Sequence, residues 1–122
     1  MAEPAEDTIS AVATQHVRGG YFLIALRGEW DLFNRPELEA ALQAAAEAGA
    51  RVIVLDLSKA TFIDSSVLGA LVESRKHLDD GVRMAVVAED RQIRKVFEIT
   101  GLDQVFTLHD TLEAATVTAE ST

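Results

Sequence analysis

The run Val52-Ile53-Val54-Leu55-Asp56-Leu57 constrains this chain more than any other stretch. An apolar segment this short and this continuous reads as a β-strand covered on both faces, so it demands a sheet with elements packed over it. A few residues on, Asp64-Ser65-Ser66 supplies three residues that each favour a helix N-cap. Leu68, Leu71, Val72 and Leu78 then follow at helical spacing. Two hydroxyls are therefore expected at a helix start just beyond a buried strand. A helix N-terminus has unpaired N–H groups and the positive end of the dipole, and both favour a negative group. A serine there can accept a phosphate without breaking its own helix. The plain alternative is capping alone. Against it, one cap needs one residue and three are supplied. Gly69 also sits inside the first turns, where glycine costs about 1 kcal/mol relative to alanine. It shares a helical face with Glu73, away from Leu68, Leu71 and Val72, which suggests close approach by another molecule; a merely tolerated glycine is the alternative.

The remaining elements fall around this centre. Ile9 to Val17 is a weak strand pattern, Arg18-Gly19-Gly20 a turn, and Tyr21 to Arg27 a strong strand, which together predict a hairpin. Gly28 to Phe33 reads as a loop. Asn34 with Glu37 forms a capping box, Pro36 suits a first turn, and the helix through Leu38, Ala41, Leu42, Ala45 and Ala46 stops near Gly49. The central strand runs from Arg51 to Leu57 and the second helix from Ser66 to about Leu78. Arg83 to Ala88 is a strand, Asp90 caps a third helix with Ile93, Val96 and Phe97 inward, and Gly101 ends it. Val105 to Leu108 is a short strand, and Asp110 with Glu113 caps a final short helix. The order ββαβαβαβα predicts an α/β domain: a mixed β-sheet with helices packed on the sheet.

A length of 122 residues suits one core. The chain begins with the acidic run Met1 to Asp7, without the positive start and apolar block of a signal peptide; cysteine is absent and no apolar run is long enough for a membrane. A cytoplasmic location is the resulting expectation. The formal net charge of −9 argues against nucleic acid and favours a partner with a basic face, although solubility alone would also account for it. No phosphate-binding loop, dinucleotide fingerprint or Gly-x-Ser-x-Gly elbow is present. His16, His77 and His109 lie far apart, with no metal-ligand spacing; His77 reads as a favourable charge at a helix C-terminus. Asp56, near a strand end, raises a phosphoacceptor aspartate. The acidic pair that would hold Mg²⁺ is missing after the first strands, so a hydrogen-bonding anchor is the favoured role. Trp30 is either an exposed interface anchor or core, and core is favoured.

The residues Val54-Leu55-Asp56-Leu57-Ser58 through Phe62-Ile63-Asp64-Ser65-Ser66-Val67-Leu68-Gly69 resemble the signature of the STAS domain (sulphate transporter and anti-sigma factor antagonist). The likeness is greatest to the small free-standing bacterial anti-sigma factor antagonists. Gly28-Glu29-Trp30-Asp31 and Val96-Phe97-Glu98-Ile99-Thr100-Gly101-Leu102 also fit, so the resemblance runs from about Ile9 to Leu112. It implies a STAS-like domain over residues 8–117, with residues 1–7 and 118–122 as disordered tails. It further implies a cycle. The unphosphorylated protein binds an anti-sigma factor that is itself a serine kinase, and the sigma factor is freed. The kinase then phosphorylates the first serine after the aspartate, Ser65 here, which breaks the complex, and a serine phosphatase resets it. The partner-binding residues expected on this basis are Asp31, Asp64, Ser65, Ser66, Val67 and Gly69, with Asp31 either steadying its loop or touching the partner, and Ser66 capping the helix. Val67 stands where the family commonly has glycine, and Trp30 where it has an aliphatic residue. Val67 is expected at the border of the core face, partly exposed and tuning partner choice; the alternative is that it turns inward and packs. A second function keeps the fold: a small STAS subunit docked on the ATPase of a membrane transporter, which need not be phosphorylated. The retained Asp64-Ser65-Ser66 favours the first. An enzyme with Ser65 as nucleophile lacks a base, so a non-enzyme without cofactor or metal is expected.

Overall fold

A computed structural model describes residues 10–17 and 20–120 and carries the expected element order. Expectations for residues 1–9, Arg18, Gly19 and residues 121–122 fall outside these. The strands are β1 (Ala11–His16), β2 (Phe22–Trp30), β3 (Val52–Ile63), β4 (Arg83–Val87) and β5 (Thr107–His109). The helices are α1 (Arg35–Glu47), α2 (Ser65–His77), α3 (Arg91–Ile99) and α4 (Leu112–Glu120), with a 3-10 turn at Leu102–Gln104. The sheet is five-stranded, in the order β1-β2-β3-β4-β5. β1 and β2 form the antiparallel hairpin; β2, β3, β4 and β5 pair in parallel, each connection carrying a helix.

The Val52–Leu57 run is buried on both faces because its alternate residues enter two cores. Ile53, Leu55 and Leu57 join Met84 and Val86 beneath residues of α1, α2 and α3. Val52 and Val54 join Ala85, Val87 and Ala115 on the opposite face, where α4 lies. Trp30 is fully buried in the larger core, and its indole N–H donates to the Arg27 carbonyl at 2.8 Å.

Several boundaries differ from those expected from the sequence. β3 continues six residues past Leu57 to Ile63, and β2 runs to Trp30 through what was expected to be loop. The two extensions pair with each other, Arg27 with Lys59 and Trp30 with Ile63, through register shifts that break the simple alternation. Gly28 lies at one of these irregularities with φ +83°, a conformation glycine tolerates best. Asn34 precedes α1 but makes no side-chain cap, because its amide closes the loop instead. It accepts from the Asp31 N–H and donates to the Glu29 carbonyl, each at 2.8 Å. Asp110 likewise does not cap α4: the Thr111 hydroxyl accepts from the Ala114 N–H, while Asp110 pairs with Arg94 at 2.8 Å. The last strand is Thr107–His109, one residue on from its expected end, and α4 reaches Glu120, past the point expected to begin a loose tail. Asp90 does cap α3, accepting from the Gln92 and Ile93 N–H groups.

Candidate functional site

Parallel strands point their C-terminal ends the same way, so the β2–α1, β3–α2 and β4–α3 connections emerge on one edge of the sheet. By strand order the β3–α2 turn lies between the other two. It contains Asp64 and Ser65.

Asp64 is the N-cap of α2, with extended backbone. One oxygen accepts from the Ser66 N–H at 3.0 Å, the Val67 N–H at 3.2 Å and the Ser66 hydroxyl at 2.6 Å. The Asp64 N–H donates to the Trp30 carbonyl at 3.1 Å. The aspartate therefore fastens the helix start to the end of β2. The Ser66 hydroxyl is the main influence holding its carboxyl below the ordinary range; partial burial opposes, and the Val67, Ser66 and Leu32 N–H groups add to the lowering.

Ser66 is thus not the cap, as the sequence reading had it; its hydroxyl is a donor to the cap. Ser65 opens α2, is exposed, and has no side-chain hydrogen bond among the described residues. Gly69 faces outward one turn on, and a Cβ added there would meet nothing within 4 Å. Asp31 is partly buried and accepts from the Phe33 N–H at 2.9 Å, steadying its own loop. Val67 is 0 % exposed and belongs to the larger core, which overturns the expectation of a partly exposed specificity residue. The cause is that α2 packs against α1 as well as on the sheet, so its buried face takes in Val67 and Ala70 beside Leu68 and Leu71.

Three residues that the sequence reading passed over stand around this turn: Leu32 is 61 % exposed, Phe33 93 % and Phe62 50 %. The available signal was two adjacent large apolar residues, Leu32-Phe33, in a loop otherwise made of polar residues. Beside Phe62, an apolar cleft of about 160 Å³ opens between the end of β3, α2 and α3, lined among others by Leu68, Ile93, Val96 and Phe97.

The other candidates lie apart from it. Asp56 accepts from the Ser58 N–H at 3.0 Å, a local anchor at the irregularity in β3. His77 ends α2 and bonds Glu73 at 3.2 Å, while His16 packs near the Phe22 ring. No helix among the described residues is long and apolar enough to cross a membrane.

The chain belongs to the STAS-domain family, whose model matches residues 10–115. It is similar to the anti-sigma-F factor antagonist RsfB of Mycobacterium tuberculosis, 30 % identical over 111 residues that cover 91 % of this chain and 89 % of that protein. Among solved structures, an anti-sigma factor antagonist from Mycobacterium paratuberculosis matches with a TM-score of 0.84 at 29 % identity, covering 94 % of this chain and 97 % of the other. The Bacillus cell fate determinant SpoIIAA, solved in its phosphorylated form, matches with a TM-score of 0.66 at 25 % identity, covering 85 % and 96 %.

Proposed function

We propose that this protein is an anti-sigma factor antagonist controlled by phosphorylation of Ser65. Its unphosphorylated form binds an anti-sigma factor serine kinase and so frees the sigma factor. The kinase transfers the γ-phosphoryl group of ATP to the Ser65 oxygen, ADP leaves, and the complex dissociates until a serine phosphatase removes the phosphate. The protein is the acceptor in this cycle, not the catalyst. One observation carries the choice of residue: Ser65 is exposed with an uncommitted hydroxyl, whereas the hydroxyl of Ser66 is already given to Asp64. Family membership and the names of the relatives support the role.

The physics of the switch is local. A phosphate adds about −1.5 to −2 charges. The Ser66 and Val67 N–H groups that could accommodate it are taken by Asp64, so the new charge faces outward. Like charges forced together at an interface cost several kcal/mol, and each 1.4 kcal/mol is tenfold in affinity. Incubation with a purified anti-sigma factor serine kinase and ATP should add one phosphate, mapped to Ser65 by mass spectrometry. The Ser65→Ala protein should take none and keep its binding; Ser65→Asp should bind more weakly. Undiminished transfer to Ser65→Ala, or a phosphate found only on Ser66, refutes the assignment.

A further inference from the structure

The sheet ends in β1 on one side and β5 on the other, and the two edges are built differently. β5 is three residues long, short enough to offer little open backbone. β1 is six residues long and pairs with β2 without a register shift, from Ala11 opposite Arg27 to His16 opposite Phe22. Both ends of this ladder are fastened: the Ser10 hydroxyl donates to the Glu29 carbonyl at 2.6 Å, and the Val17 N–H to the Tyr21 carbonyl at 2.8 Å. The outer edge of β1 pairs with no described strand, so every second residue turns its N–H and C=O outward. Soluble proteins blunt such an edge with lysine, proline or a bulge, and Ala11-Val12-Ala13-Thr14-Gln15-His16 has none of these. Among the described strands and helices, β1 and β5 are also the ones without Asp, Glu, Lys or Arg.

We propose that the outer edge of β1 pairs with β1 of a second copy of this chain, antiparallel about a two-fold axis normal to the sheet, so that two sheets join into one. Charge selects this occupant. The chain carries −9 and repels its own copies over most of its surface, but a strand without formal charge adds no repulsion at the contact. A charged partner finds no counter-charge on β1 and is steered elsewhere. What β1 offers is main-chain hydrogen bonding, and its complement is another open, uncharged strand edge, which a second copy presents in the same form. Val12, Thr14 and His16 lie opposite Leu26, Ile24 and Phe22 and face the larger core, while Ala11, Ala13 and Gln15 face the other way. The two-fold keeps each face on its own side, so residues that meet across it share a face, and the pairing centres on Ala13 or on Thr14. The first register sets Val12 beside Thr14 and the second sets Thr14 beside Thr14; both are β-branched pairs that favour a ladder. Of the six side chains Val12 is partly buried and the others are exposed, so no described element covers the strand. A six-residue ladder falls well short of the interface of a permanent dimer, which makes the association transient and concentration-dependent. The same two-fold sets β3 of the two copies antiparallel, so their acceptor turns point to opposite ends of the joined sheet; the pairing neither requires nor blocks phosphorylation of Ser65.

The chain has no cysteine, which allows a direct test. Ala13→Cys and Thr14→Cys each place a thiol at one of the two centres, where residues facing across an antiparallel pair have Cα atoms about 4.5–5.5 Å apart, within disulfide reach. Mild oxidation at low micromolar protein should link at least one of them into a dimer and so report the register. Val117→Cys, at an exposed site on α4, should link far more slowly. Sedimentation equilibrium from low micromolar to near-millimolar protein should show a monomer–dimer equilibrium in the wild type. Ala13→Lys and Thr14→Lys alter exposed side chains, and their folding is checked by thermal denaturation. The lysine at the centre that cross-links meets its own copy and should weaken the dimer by about tenfold or more. Val117→Lys should associate as the wild type does. A wild type that stays monomeric over the whole range, cross-linking no faster at Ala13 and Thr14 than at Val117, or a dimer undiminished by either edge lysine would each overturn the pairing.

Discussion

Asp64 does more for this protein than cap a helix, and its chemistry makes two predictions. The ionised carboxylate accepts from the Ser66 hydroxyl and from two N–H groups of α2. With its folded-state value below the ordinary one near 4, the unfolded chain binds more protons in that range. The stabilisation is therefore present above the ordinary aspartate value and is lost as the pH falls through the lowered folded one. Chemical denaturation followed from pH 7 down to pH 2.5 should show a smaller acid-side loss for Asp64→Asn than for the wild type; identical slopes would show that the carboxylate contributes nothing there. At neutral pH, Asp64→Ala should cost about 0.5–2 kcal/mol, the usual range for losing an N-cap. Ser66→Ala should cost less, because its backbone N–H stays bonded to Asp64. Ser65→Ala, at an exposed hydroxyl without a partner among the described residues, should stay within about 0.5 kcal/mol of the wild type. That makes it a clean probe of the switch.

At the scale of elements, α2 has two faces that respond to mutation in opposite ways. Gly69 lies in the helix interior with open space around it, so Gly69→Ala should stabilise the fold by about 0.5–1 kcal/mol. If a partner covers this face, the same variant should bind less well; higher stability with unchanged affinity would remove Gly69 from the contact. Val67→Ala should cost about 1.5–3 kcal/mol for a buried valine side chain, and should leave the rank order of partners alone once corrected for the fraction folded. The contrast shows what local sequence can carry. The run Val52 to Leu57, the Asp90 cap and the stops at Gly49 and Gly101, each with φ above +70°, are decided by residues a few positions apart, and they are legible. The extension of β3 to Ile63 is not, because its partner is β2, some thirty positions earlier in the chain. Nor is the burial of Val67, which depends on α1 arriving beside α2. The acceptor turn was readable as a motif; which of its neighbours cap, pack or stand exposed depended on those longer-range contacts.

Taken whole, the molecule is a sheet with unequal covers. The larger core joins all of the central strands to α1, α2 and α3, and it is this core that fixes the edge carrying Ser65. The smaller one is closed by α4, where, among the described side chains, Ala115 is fully buried and Leu112 partly. Helix α4 follows the three-residue strand β5. Few buried contacts mark the segments that open at low free energy. Hydrogen exchange in rising, sub-denaturing concentrations of guanidinium should separate the two. Amides of α4 should exchange by local opening, at a free energy below that of global unfolding and nearly independent of denaturant. Amides of Ile53 to Leu57 should exchange only with global unfolding, whose free energy the fluorescence of Trp30, the sole tryptophan, reports independently. Because the two clusters share no residue, Ser65→Asp should leave exchange in α4 unchanged while any effect stays on the α2 side of the sheet. Equal protection in α4 and β3 would mean that the two cores unfold as one unit, and a response of α4 to Ser65→Asp would mean that the acceptor turn communicates through the sheet.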